Sequence, residues 1–187
     1  MNSIIAYISW MAVLVFPARI VYSQQYNCRT LLVQFVSVTP LETIKAENKN
    51  GVLLLDLQTG RVEAAVLIKG FLFRKALMQQ HFNESYMESD KFPKAVFSGR
   101  FDPALVSSKQ AGEQVIPISG TLTMHGVSKP HACDIILKFS DTDCQGFASF
   151  FIKPEDFSIQ VPALVRDNIN KQLKVELSTG WMKPNTR

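Results

Sequence analysis

The sequence has little of what marks most enzymes and nucleic-acid binders. Its three cysteines, Cys28, Cys133 and Cys144, include no Cys-x-x-Cys pair, so zinc binding and thioredoxin-like exchange have no signature here. A Gly-x-Ser-x-Gly elbow, a phosphate loop and a dinucleotide fingerprint are all missing. No Lys/Arg cluster forms a phosphate-binding stripe, which argues against nucleic acid as a partner. Low-complexity tracts and clear linkers are absent too, so nothing divides the body of the chain. These absences disfavour catalysis and leave the shape of an apolar interior as the source of function.

One long apolar run does occur. Residues 4–16 are almost entirely apolar, about the length of a signal-peptide core and short for a membrane span. Val21-Tyr22-Ser23 places small or β-branched residues at −3 and −1 of a cleavage before Gln24. The expectation is a signal peptide over residues 1–23 and a mature domain over 24–187, with a retained anchor as the alternative. Tyr26-Asn27 ahead of Cys28 does not fit a lipoprotein site. Removing the leader takes away Arg19 and leaves 19 basic and 16 acidic residues, a mild net charge of +3. Roughly 164 remaining residues suffice for one domain with a sizeable core. Export, to the periplasm or the outside medium, permits disulfides, but three cysteines cannot form a closed set. Cys133 either pairs with Cys144 across a hairpin or serves as a small buried apolar residue on an inward strand face.

The rest alternates. Strand candidates cover residues 31–38, 44–47, 52–57 and 62–68, with Asn48-Lys49-Asn50-Gly51 and Thr59-Gly60 between them as turns. Val62, Ala64, Val66 and Ile68 share one face. Residues 74–87 break the pattern; Leu77, Met78, Phe82 and Met87 suit the apolar side of a short amphipathic helix. Strands then resume, with Ala95, Phe97, Gly99 and Phe101 on one face, then Ile116, Ile118, Gly120, Leu122 and Met124, then Cys133, Ile135, Leu137 and Phe139. Residues 141–146 read as a turn and 147–153 as a strand, followed by a helical turn opened by Pro154. The last strand puts Leu173, Val175, Leu177, Thr179 and Trp181 on one side. About eight strands and one helix make an all-β fold, and closure into a barrel would remove its exposed edges. Such a barrel either fills with side chains or holds one small ligand. Gly99 and Gly120 either leave room for a ligand or let the strands bend.

Three blocks carry a family resemblance. They are Leu77-Met78-Gln79-Gln80-His81-Phe82-Asn83-Glu84-Ser85-Tyr86-Met87-Glu88-Ser89-Asp90-Lys91-Phe92-Pro93, then Gly120-Thr121-Leu122-Thr123-Met124-His125-Gly126-Val127-Ser128-Lys129-Pro130, then Lys153-Pro154-Glu155-Asp156-Phe157-Ser158-Ile159. In this order and spacing the chain resembles the YceI-like family over nearly all of its mature length. The resemblance implies an eight-stranded antiparallel lipocalin-like barrel with one short helix near the mouth. It also implies an apolar channel for an isoprenoid lipid of the polyprenyl phosphate or quinone type. The chain departs from the pattern in the cysteines around the Cys133 hairpin and in the loop Gln160-Val161-Pro162-Ala163-Leu164-Val165-Arg166.

The candidate lining residues are Phe97, Phe101, Ile118, Leu122, Met124, Ile135, Leu137, Leu173, Val175 and Leu177; the alternative is that they only pack against one another. Lys91, His81 and Arg166 are candidate contacts for a lipid head. His81, His125 and His131 do not have metal-motif spacing, so no metal and no cofactor is expected. The expected function is non-enzymatic carriage or sequestration of such a lipid. A partner-binding structural barrel, or a lipid-modifying enzyme using His81 or His125, is the alternative. Transient membrane contact and a homodimer are compatible with it.

Overall fold

Period-two alternation makes a strand, and one apolar face per strand must be buried; rolling the sheet buries all the faces at once. The computed structural model describes residues 24–107 and 111–185, so the expected leader lies outside the described residues. The strands are β1 (Gln25–Val38), β2 (Thr43–Asp56), β3 (Arg61–Leu67), β4 (Leu72–Phe73), β5 (Lys94–Arg100), β6 (Gly112–Met124), β7 (Val127–Ser140), β8 (Asp143–Ile152) and β9 (Leu173–Ser178). They pair antiparallel in the order β1-β9-β8-β7-β6-β5-β3-β2, and β1 also pairs with β2 to close the ring. Eight strands therefore form a closed barrel, and the two-residue β4 rides on β2 at Ala46 and Glu47.

Several boundaries differ from the sequence expectation. β1 begins at Gln25, six residues before the expected start at Leu31. Residues 48–51 are not a turn; β2 runs straight through them. Asn48 is buried, with its amide donating to the Leu67 carbonyl at 2.8 Å and its side-chain oxygen accepting from the Asn50 N–H. Those bonds satisfy a turn-forming residue without a turn. The β1–β2 register is broken twice, between Cys28 and Leu31 and between Leu31 and Val33, and such bulges sharpen the bend of a barrel wall. At the other hairpin the turn is only Asp141-Thr142, and β8 already starts at Asp143. β9 stops at Ser178, and Trp181 is exposed. Beyond it the tail crosses the barrel end through bridges Cys144↔Met182 and Tyr26↔Pro184.

The helical segment is shorter than expected. α1 covers Ala76–His81, followed by a wider π-type turn over Phe82–Tyr86 closed by Met87 N–H to the Phe82 carbonyl. Met78, Phe82 and Met87 turn inward, but Leu77 faces solvent. Gln79 pins the segment to β4 by accepting the Phe73 N–H.

The two ends of the barrel are unlike. At the end holding residue 24 and the β7–β8 turn, Tyr26, Leu57, Phe101, Ile116, Phe139, Cys144 and Met182 are all buried in one cluster. The Tyr26 hydroxyl donates to the Thr142 carbonyl across this floor. Burial pushes the Cys144 thiol up to about 12, so it stays protonated and unreactive. The opposite end carries α1 and the 38–43 hairpin, and it is hollow.

Candidate functional site

The interior above that floor contains a cavity of about 420 Å³, within the range of roughly 300–1,000 Å³ typical of ligand sites. The strands supply its walls: Leu31 and Val33 from β1, Val62 and Val66 from β3, Ile135 and Leu137 from β7, Ala148 and Phe150 from β8. It reaches the surface at the α1 end, because the exposed His81 and the half-buried Glu42, Asn168 and Ile169 line it there.

The mouth is aromatic. Phe35 of β1, Phe71 and Phe73 around β4, and Phe82 from the π-type turn meet with ring centroids 5.0–5.7 Å apart. Phe82 stacks on Phe35 at 5.6 Å, which fastens the helical segment to the barrel wall. All four rings line the cavity.

Three titratable groups in the wall are held neutral. Burial pushes the His131 imidazole below its ordinary value and the Tyr86 phenol above its own. Burial, then the charge of Asp134, pushes the Cys133 thiol up. In each case desolvation favours the uncharged form. His131 sits between two rings, 4.4 Å from Phe150 and 6.5 Å from Phe97, and its Nε2 is buried with no hydrogen-bond partner. The three cysteines are free thiols.

His125 has a different role. It occupies the β6–β7 turn with positive φ, followed by Gly126 at φ 75°. A Cβ on Gly126 would lie 2.6 Å from the Phe92 ring, so the turn needs glycine both for its dihedral and for that contact. The His125 ring packs on Phe92; Nδ1 lies 3.1 Å from the Phe157 carbonyl and Nε2 lies 2.9 Å from the Glu88 carboxylate. It thereby joins the 88–92 loop, the β6–β7 turn and the 154–157 turn. Both ring nitrogens are occupied by structural partners. Among the described residues no three His, Cys, Asp or Glu side chains converge on a point.

Of the residues expected to line a channel, Phe97, Ile118, Leu122, Met124, Ile135, Leu137, Leu173, Val175 and Leu177 do border the cavity. Phe101 does not: it points inward but belongs to the packed floor. Gly99 and Gly120 face each other across β5 and β6. A Cβ on Gly120 would meet the Ser98 carbonyl at 2.3 Å, and one on Gly99 would meet the Phe97 ring at 2.5 Å. The pair permits close strand approach under the Phe97 ring and leaves no open space. Of the candidate head contacts, only His81 lines the cavity; Arg166 is exposed and outside the lining, and Lys91 is exposed with its Nζ 4.9 Å from the Phe92 ring centre. Phe35, Phe71, Phe73 and His131 were missed. His131 shares the parity of Cys133, Ile135 and Leu137, which places it on the inner face. Phe71 and Phe73 lie around a strand too short to show alternation.

The YceI-like domain family model matches residues 33–179. No curated protein sequence matches the chain. A polyisoprenoid-binding domain from Saccharophagus degradans, implicated in plant cell wall breakdown, superposes with TM-score 0.73 at 15% identity, covering 87% of this chain and 99% of that one. BcnA from Burkholderia cenocepacia gives TM-score 0.66 at 13% identity, over 79% of this chain and 94% of its own. A Campylobacter jejuni YceI protein gives 0.58 at 15%, over 78% and 87%. With a family match spanning most of the chain and a barrel of the same build, this protein belongs to the YceI-like domain family.

Proposed function

We propose that this chain is an exported, non-catalytic lipid carrier or sequestering protein that holds an isoprenoid chain inside the barrel. The observation that carries the proposal is the neutral, apolar cavity with an aromatic mouth above a solid floor. Burial of a hydrocarbon contributes roughly 0.8 kcal/mol per methylene, so one five-carbon unit gives roughly 3 kcal/mol gross. A few units then exceed an association cost of about 4–15 kcal/mol. Binding of this kind needs no special side chain, and a polyprenyl phosphate or quinone would keep its head at the α1 end. The polyisoprenoid-binding relative from S. degradans supports the choice of lipid class. Of the two histidines the enzyme alternative would use, His125 is fixed by Glu88 and the Phe157 carbonyl, and His81 stands exposed at the mouth. Residues 1–23 would direct export to the periplasm or medium and be removed before Gln24.

Organic extraction of the protein purified from its native host, followed by mass spectrometry, tests this. An isoprenoid at near-stoichiometric amount is expected. Repeated recovery of none, together with no uptake of added polyprenol, overturns the proposal.

A further inference from the structure

Three segments form the rim around the mouth: the hairpin of residues 38–43, the start of α1, and the loop of residues 166–171. Lys75 reaches Glu42 in a 2.6 Å ion pair, tying α1 to the hairpin. Asn170 bonds the Ser37 hydroxyl through its N–H and the Val38 carbonyl through its side chain, tying the loop to the same hairpin. This rim exposes large apolar side chains. Leu41 is 70% exposed, Leu77 61%, and Val38 and Leu72 58% each. Single exposed apolar residues also occur elsewhere, Leu67, Val115 and Phe151 among them, but here four of them surround one opening, as at an interaction surface.

The charges beside these residues are mainly basic. Lys45, Arg74, Arg166 and Lys171 are exposed, and among the described residues none of them forms an ion pair. Glu42 is already neutralised by Lys75, which leaves Asp167 and, further along the helical segment, Glu84 as the opposing charges. The floor end carries both signs, with Asp102, Asp141 and Asp143 beside Arg100 and Lys183, and Glu113 paired with Lys138. Residues 24 and 185 both lie at the floor, where Gln24 accepts from Leu57 N–H and Asn185 donates to Gln25, so the rim is unobstructed by either.

We propose that the rim is a docking surface for a bilayer carrying anionic headgroups, with Leu41, Leu77, Val38 and Leu72 inserting into the interface and Lys45, Arg74, Arg166 and Lys171 meeting the lipid charge. Apolar tips flanked by basic residues are the arrangement an anionic interface selects. Docked so, the mouth opens onto the membrane, and a hydrocarbon chain passes between bilayer and cavity without crossing water. The purpose of docking rests on the lipid-carrier proposal; the surface does not.

The test is sedimentation of the mature protein with vesicles of phosphatidylcholine alone or with added phosphatidylglycerol, at low and high salt. Partition is expected into the anionic vesicles at low salt, falling steeply as salt rises. Leu41→Ser with Leu77→Ser should weaken it by about tenfold or more. Lys45→Glu with Arg74→Glu should weaken it by about fivefold or more per residue and erase the preference for anionic lipid. Val115→Ser, exposed on the barrel flank and not at the cavity, should leave it unchanged. Uptake of detergent-dispersed polyprenol is measured for every variant. Retained uptake with lost vesicle binding supports the docking surface. No partition of the native protein into anionic vesicles, indifference to lipid charge, or equal effects of rim and flank variants overturns it. Failure of the carrier proposal would appear separately, as absent uptake in the native protein.

Discussion

The floor and the hollow of this barrel are made by the same strands with the same alternation, yet they do opposite things with their inward side chains. Near the floor, Phe139, Ile116 and Cys144 have almost no exposed surface and pack with the returning tail residue Met182. Half a barrel length away on the same strands, Ile135, Leu122 and Phe150 border open space. The difference comes from what crosses the opening. At the floor the C-terminal tail folds over and is bridged to β1 and β8. At the mouth the covering segment, α1 and its π-type turn, sends in Phe82 and Met78 only far enough to roof the space. One half is a conventional core and the other an open volume.

The strongest way to break this comparison is to truncate one aromatic in each half. Phe139→Ala leaves a void in a packed floor and is expected to cost about 3–5 kcal/mol of folding stability. Phe150→Ala enlarges a space that already exists and removes contacts with a half-buried ring, so about 1–2 kcal/mol is expected, roughly half of full burial. Denaturant titration of both variants measures the gap. Equal losses would mean that the upper half is a core too.

The next test adds volume. Gly120 has no room for a Cβ, because the Ser98 carbonyl and the Gly99 backbone lie within 2.5 Å of it, so Gly120→Ala should destabilise by about 1–3 kcal/mol through overpacking. Ala148 borders the cavity, and Ala148→Trp places a ring where lipid would lie. That variant should keep its melting temperature within a few degrees and lose most polyprenol uptake. A folded Ala148→Trp protein that takes up lipid as well as the native one would show that the hydrocarbon binds elsewhere.

How far the sequence exposes these differences depends on range. Alternation identified the inward faces of β3, β5, β6 and β7, because a two-residue period is local and its cause, one wet face and one dry, is the same everywhere. It could not identify depth: Phe97 and Phe101 have the same parity, but one borders the cavity and the other the floor. Residues 48–51 look like a turn because Asn and Gly form turns, and their pairing with distant β1, with the Leu67 carbonyl holding Asn48, makes them a continuous strand. Gly99 and Gly120 were visible as unusual, but their function as a cross-strand pair depends on register, which no single segment contains. The aromatic mouth was the least legible feature. Its four rings come from β1, the edge of β4 and the π-type turn, and their meeting is a product of closure.

The mildest test uses the polar group left inside the apolar half. Burial lowers the His131 pKa from an unfolded value near 6.5, so between that value and the lowered one the unfolded chain binds a proton that the folded chain refuses. The unfolded state then holds more protons, and stability rises with pH. The contribution is fully present above about pH 6.5 and is lost as pH falls through the lowered value. Solvent reaching the half-buried ring through the mouth screens the effect, so the expected loss is about 1 kcal/mol or less. His131→Phe, placed between Phe97 and Phe150, removes the titration and keeps the aromatic contacts. Its unfolding free energy between pH 7 and 5 should fall less than that of the native protein, and the difference isolates His131. Lipid uptake should follow the same sign, because a charged imidazole in the wall opposes a hydrocarbon beside it. Parallel pH slopes for the two proteins would place His131 in contact with water, and the neutral wall would then extend only to the depth of Cys133.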